Sequence, residues 1–149
     1  MNQQTPKPFA DIEIGDEIGP MTRVPTLEVV QGYATVARIP DRRFIDPEVA
    51  REKGFLKPIV PGPLSATFLV QLLTDHFPGW RLQTFNITFR TPVAHGDTLN
   101  CWGTVTEKNG QEEDGTATIH CDVIAENQHG ERVIVGTATL GARQRRSSL

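Results

Sequence analysis

Two carboxylates five residues apart, Asp41 and Asp46, flank a pair of cations, Arg42 and Arg43, in a chain of 149 residues. Proton transfer needs such groups, one to take a proton and one to give it. Each also has a plain structural use. Asp46 precedes Pro47 and Glu48, the pattern of a helix N-cap, and Asp41 beside two arginines suits surface or interface ion pairs. Ser65 follows Gly62-Pro63-Leu64 near a helix entrance, as a small core residue or a polar contact for a ligand. His76 lies near the end of an apolar helical stretch, where a charged imidazole suits the helix C-terminus. His95 sits in the turn Ala94-His95-Gly96-Asp97 and is expected in solvent; His120 falls in a strand and His129 in a hairpin turn. No histidine has a partner at metal-ligand spacing, so neither a metal nor a cofactor is expected. There is no Gly-x-Ser-x-Gly and no phosphate-cradling glycine loop.

The elements that position these groups must come from one domain, since the length fits a single core. Apolar residues at 38% and charged residues at 22% are too balanced for a disordered chain or a fibre. Lys+Arg 15 against Asp+Glu 18 gives a net charge of −3, which argues against a nucleic-acid partner. No stretch approaches the roughly 20 apolar residues of a membrane span, and the polar start does not read as a secretory signal. Cys101 and Cys121 lack CxxC spacing and sit in strand patterns, as buried free thiols of a cytoplasmic protein would. Residues 1–8 read as a loose arm, 9–142 as the domain, and 143–149, with Arg143, Arg145 and Arg146, as a basic flexible tail.

Ile12, Ile14 and Ile18 at even spacing predict a short strand within 9–18, and Thr26 caps a helix from Leu27 to about Ala37. Asp46-Pro47 opens a second, short helix that ends at Gly54. Leu64 to Phe77 is apolar on several faces, which predicts a helix buried nearly all round, stopped by Pro78-Gly79. From Arg81 the period becomes two. Strands follow around Phe85–Phe89, at Leu99–Glu107, at Thr116–Glu126 and at Glu131–Leu140, with turns at Asn109-Gly110 and His129-Gly130. One helix wrapped by a curved antiparallel meander is an α+β architecture and suits a single hotdog domain.

Three blocks resemble the MaoC-like enoyl-CoA hydratases and dehydratases. They are Phe9-Ala10-Asp11-Ile12-Glu13-Ile14-Gly15-Asp16, then Asp46 through Ser65, then Phe89-Arg90-Thr91-Pro92-Val93-Ala94-His95-Gly96-Asp97-Thr98-Leu99. The resemblance implies reversible addition of water to a 2-enoyl thioester, carried by CoA or an acyl-carrier protein. In the family an Asp and a His in an Asp-x-Asn-Pro-x-His-x-Asp block handle the protons. A backbone N–H at the entrance of the buried helix holds the thioester oxygen.

This chain departs from that pattern. With Asp46 as anchor, Ile39 stands at the Asp position and Phe44 at the His position; Asp41 takes the Asn position and Arg42 the Pro position. Pro61 replaces the frequent His before Gly62. Neither Ile nor Phe transfers protons. Three readings follow. The chain is a dyad-deficient acyl-thioester-binding subunit, as a homodimer or paired with a dyad-bearing MaoC-like chain; or an active hydratase with Asp41 or Asp46 as relocated acid/base; or a sensor or docking module. Pro61, Gly62, Ser65, Arg42 and Arg43 are the expected oxyanion and substrate contacts.

Overall fold

The computed structural model describes residues 5–39 and 41–142. Five strands form one antiparallel sheet: β1 (Glu17–Arg23), β2 (Trp80–Phe89), β3 (Leu99–Asn109), β4 (Thr118–Glu126) and β5 (Arg132–Ala142), in the order β1-β3-β4-β5-β2. Before β2 come α1 (Leu27–Val36), α2 (Pro47–Glu52) and the long α3 (Gly62–His76). Helix α3 lies across one face of the sheet and touches β1, β2, β3 and β4. That is a hotdog fold, helix in sheet, and all the elements fall within residues 9–142. No helix among the described residues is long and apolar enough to cross a membrane.

Period-two patterning builds the core. Leu99, Cys101 and Val105 of β3 and Ile119, Cys121, Val123 and Ala125 of β4 point to one face and are buried there. On α3, Ser65, Leu69, Leu72 and Leu73 meet that face at helical spacing. Gln71 and Thr74 face away and are exposed, as is Asp75. The helix is therefore covered on one side, not nearly all round, because a single sheet can cover only one side of it.

The cap expectations match. Thr26 accepts from the Val29 N–H at the start of α1, and Asp46 from the Glu48 N–H at the start of α2. The first strand does not lie where alternation placed it: Phe9–Asp11 is a single 3-10 turn, and β1 begins only at Glu17. Ile12 is buried outside any strand, Ile14 is exposed, and only Ile18 is a buried strand residue, so the even spacing there marks two separate core contacts rather than one strand. In β1 the register shifts between Ile18 and Met21, around Gly19 with φ +84°. A Cβ at Gly19 would stand 2.9 Å from Leu72 Cδ1 and 3.0 Å from the Cys101 carbonyl oxygen, so only glycine lets β1 approach α3 here.

Of the expected loose arm, residues 1–4 lie outside the described residues, as does the expected basic tail 143–149. The described remainder of the arm is held. Lys7 donates its N–H to the Pro78 carbonyl at 3.0 Å, and the Trp80 indole N–H donates to the Lys7 carbonyl at 2.8 Å. The Lys7 ammonium also lies 5.8 Å from the centre of the Phe77 ring. Burial, with the charge of Lys7 nearby, pushes the His76 pKa down, so the charged imidazole expected at this helix end is disfavoured.

Cys101 and Cys121 are free and buried. Burial raises their thiols to about 11 and about 12 respectively. In the folded protein neither should react with iodoacetamide at pH 8, whereas both should alkylate in urea; adduct counting by mass spectrometry checks this.

Candidate active site

A cavity of about 330 Å³ opens at the N-terminal end of α3. Phe44, Ile59 and Val60 form one wall, contributed by the segment between α1 and α3. Gly62 and Ser65 come from the first turn of α3, the run Phe89–Val93 from the end of β2 and the loop after it, and Ile134 from β5. The segment carrying Phe44 is fastened to that loop: Val60 donates to the Val93 carbonyl at 2.7 Å, and Ile59 bridges Ala94.

Two polar groups of the α3 entrance belong to the cavity. Gly62 is the first helical residue, where an N–H has no acceptor within the helix, and its N–H donates to no backbone carbonyl among the described residues. Ser65 is buried to 2% exposure, and its Oγ has no partner among the described residues. A buried hydroxyl without a partner is costly, and a ligand oxygen would satisfy it. Pro61 precedes the helix, and its carbonyl accepts from the Leu64 and Ser65 N–H groups, so it shapes the entrance without lining the cavity. The Phe89 ring lies so close that a Cβ on Gly62 would be 3.0 Å from it.

The two candidate carboxylates are engaged elsewhere. Asp41 accepts from the Arg43 N–H at 3.0 Å and pairs with Arg43 Nε at 2.7 Å and Lys53 Nζ at 3.4 Å. The Arg43 N–H, helped by the Arg43 and Lys53 charges, holds this carboxyl below its usual range, although desolvation opposes them. Asp46 accepts from the Glu48 N–H at 2.9 Å and lies 3.4 Å from Arg42 Nη2. Neither Asp41 nor Asp46 lines the cavity; nor do Arg42, Arg43 and Ile39. Ile39 donates its N–H to the Ala34 carbonyl just after α1. The Arg43 guanidinium lies 5.2 Å from the centre of the Phe44 ring, so it meets the cavity wall only through that side chain.

Asp46→Ala should cost about 1 kcal/mol through loss of the α2 cap, while Asp46→Asn, also a good cap, should cost much less. Urea melts of the two variants distinguish capping from any other use of the carboxylate.

His95 is not the solvent-exposed turn residue expected. Its Nε2 is buried without a partner among the described residues, and its ring faces the backbone carbonyls of Phe44 and Ile59. Burial pushes its pKa down, more than those two carbonyls raise it. Packing decides this: the turn is fixed by hydrogen bonds from the His95 N–H to Pro58 and from the Gly96 N–H to Pro25. Phe89, Arg90 and Thr91 are cavity residues that the sequence presents only as a strand–turn block. Among the described residues no three His, Cys, Asp or Glu side chains are grouped to hold a metal ion.

Fold and site together define a hotdog protein with an apolar cavity at the entrance of its central helix. The family model described as "MaoC like domain" matches residues 33–127, and the chain belongs to that family. It is 33% identical over 88 residues to the mitochondrial 3-hydroxyacyl-[acyl-carrier-protein] dehydratase of Arabidopsis thaliana, covering 59% of this chain and 52% of that protein. The chain spans about half the length of the curated relatives it matches. Among solved structures it resembles the R-hydratase PhaJ1 of Pseudomonas aeruginosa, with a TM-score of 0.83, 23% identity, and 94% of this chain and 88% of that one covered. It also resembles the ChsH1-ChsH2 complex of Mycobacterium tuberculosis, with a TM-score of 0.77, 19% identity, and coverage of 88% and 98%. At such identities these two establish the fold alone.

Proposed function

We propose that this chain binds acyl thioesters as a dyad-deficient member of the hydratase/dehydratase family and depends on a partner for turnover. One observation carries the reading. Phe44, at the family's His position, lines the cavity beside Gly62 and Ser65, and among the described residues no Asp, Glu, His, Cys, Tyr or Lys side chain lines it. The Gly62 N–H and the Ser65 hydroxyl are donors suited to a thioester oxygen, and the first turn of α3 adds its positive end. The apolar walls suit an acyl chain. What is missing is a group that exchanges protons.

A second subunit fits the sheet. Strand β2 ends it with an unpaired edge among the described residues, and Phe89 at the end of that strand is 52% exposed beside the cavity. Such an edge invites pairing with another chain. The partner is a second copy or a dyad-bearing MaoC-like chain, and the ChsH1-ChsH2 complex supports the latter by analogy. In this reading Gly62 and Ser65 hold the thioester oxygen, Pro61 sets the helix entrance that presents them, and the chain works in the cytoplasm.

Calorimetric titration with crotonyl-CoA tests the binding half. Wild type should bind, and Ser65→Ala should weaken binding by roughly fivefold to tenfold, the range of one hydrogen bond. Absence of any acyl-thioester binding, alone or with a dyad-bearing chain, would favour the docking-module reading instead.

A further inference from the structure

Most of the cations near the site are internally neutralised. Arg42 pairs with Asp46, while Arg43 and Lys53 share Asp41. Arg90 is different. Among the described residues it is the one charged residue lining the cavity, it is exposed, and no carboxylate pairs with it. Its neighbour Thr91 also lines the cavity, half-buried, and the Thr91 hydroxyl makes no hydrogen bond among the described residues.

The backbone beneath these two donors is fixed. Arg90 donates its N–H to the Val133 carbonyl at 2.9 Å, Phe89 pairs with Ile134 across the β2–β5 ladder, and Val93 accepts from Val60. A guanidinium and a hydroxyl on adjacent residues offer a carboxylate two-point recognition. The remaining lining is apolar apart from the α3 entrance, so Arg90 and Thr91 are the polar groups at this end of the cavity.

We infer that the cavity selects an acyl thioester whose acyl group carries its own carboxylate, held by Arg90 and Thr91. The inference rests on the thioester-binding reading and names its substrate class. The carboxylate is assigned to the acyl group because Arg90 lines the same cavity as Gly62 and Ser65. The nearest phosphate of a thioester carrier lies a full pantetheine arm from the sulfur.

Two saturated ligands of equal length test this without turnover: pentanoyl-CoA and glutaryl-CoA share every carrier phosphate and differ in one terminal carboxylate. Calorimetry on the wild-type chain should favour glutaryl-CoA by about tenfold or more. Arg90→Gln should bring the ratio close to one, Arg90→Lys should keep part of it, and Thr91→Val should reduce it. Equal or tighter binding of pentanoyl-CoA by wild type overturns the inference while leaving thioester binding intact. A parallel loss for both ligands in Arg90→Gln, with the ratio kept, also overturns it and assigns Arg90 to the carrier phosphates. Failure of both ligands to bind wild type removes the thioester reading itself, and this inference with it.

Discussion

Purified alone, the chain is expected to hydrate crotonyl-CoA at least about 10⁴-fold more slowly than a dyad-bearing relative, since each positioned acid or base contributes about 10²–10⁴-fold. Phe44 and Ile39 offer no proton, and on the proposed reading the helix entrance with its two donors supplies only binding and oxyanion stabilisation. Adding a dyad-bearing MaoC-like chain that co-purifies with it should raise turnover. Asp41→Asn and Asp46→Asn should leave the residual rate of the lone chain where it was, because both carboxylates serve local hydrogen bonds and ion pairs. Fast turnover by the lone chain, abolished by either substitution in a protein that still melts cooperatively, would replace the partner-dependent reading with relocated catalysis.

Leu69→Ala and Leu73→Ala are each expected to destabilise the fold by about 2–5 kcal/mol, the range for emptying a packed leucine site. Both side chains are at 0% exposure on the face of α3 that meets the sheet. Phe68, only partly buried, should cost less than its size suggests when cut to alanine. Domains of this size have about 5–15 kcal/mol in total, so one such change removes a large share. Guanidinium unfolding monitored at Trp80 and Trp102 measures it; a loss below about 1 kcal/mol at both leucines would mean that α3 does not anchor the core.

Much of this architecture is legible from local chemistry. Asp46-Pro47 and Thr26 announce helix starts because capping is decided within a few residues, and β3, β4 and β5 follow from alternation that one buried face enforces. Sequence patterns mislead where the outcome depends on distant packing. Ile12 is buried without being in a strand, and on α3 the apolar residues outweigh a polar stripe, Gln71, Thr74 and Asp75, whose i, i+3, i+4 spacing marks the side that stays open. The helix-entrance part of the site, Gly62 and Ser65, is readable because it is contiguous. Arg90 and Thr91 reach the same cavity from the loop after β2, and the turn carrying His95 is fixed by hydrogen bonds from the His95 N–H to Pro58 and from the Gly96 N–H to Pro25. Nothing in their own neighbourhoods signals that meeting.

The strand order also fixes a timetable for synthesis. Strand β1 must wait for β3, and β2 for β5, while β3-β4 and β4-β5 are local hairpins. On a ribosome, therefore, α3 emerges with Leu69, Leu72 and Leu73 uncovered before any hairpin exists to receive them. The two hairpins should gain amide protection first in pulse-labelled refolding, with β1 and β2 closing late, since distant pairings carry the larger loop-closure cost. A nascent chain stalled before Arg132 would present an apolar helix and an unfinished sheet, the exposed state from which aggregation starts and on which chaperones act.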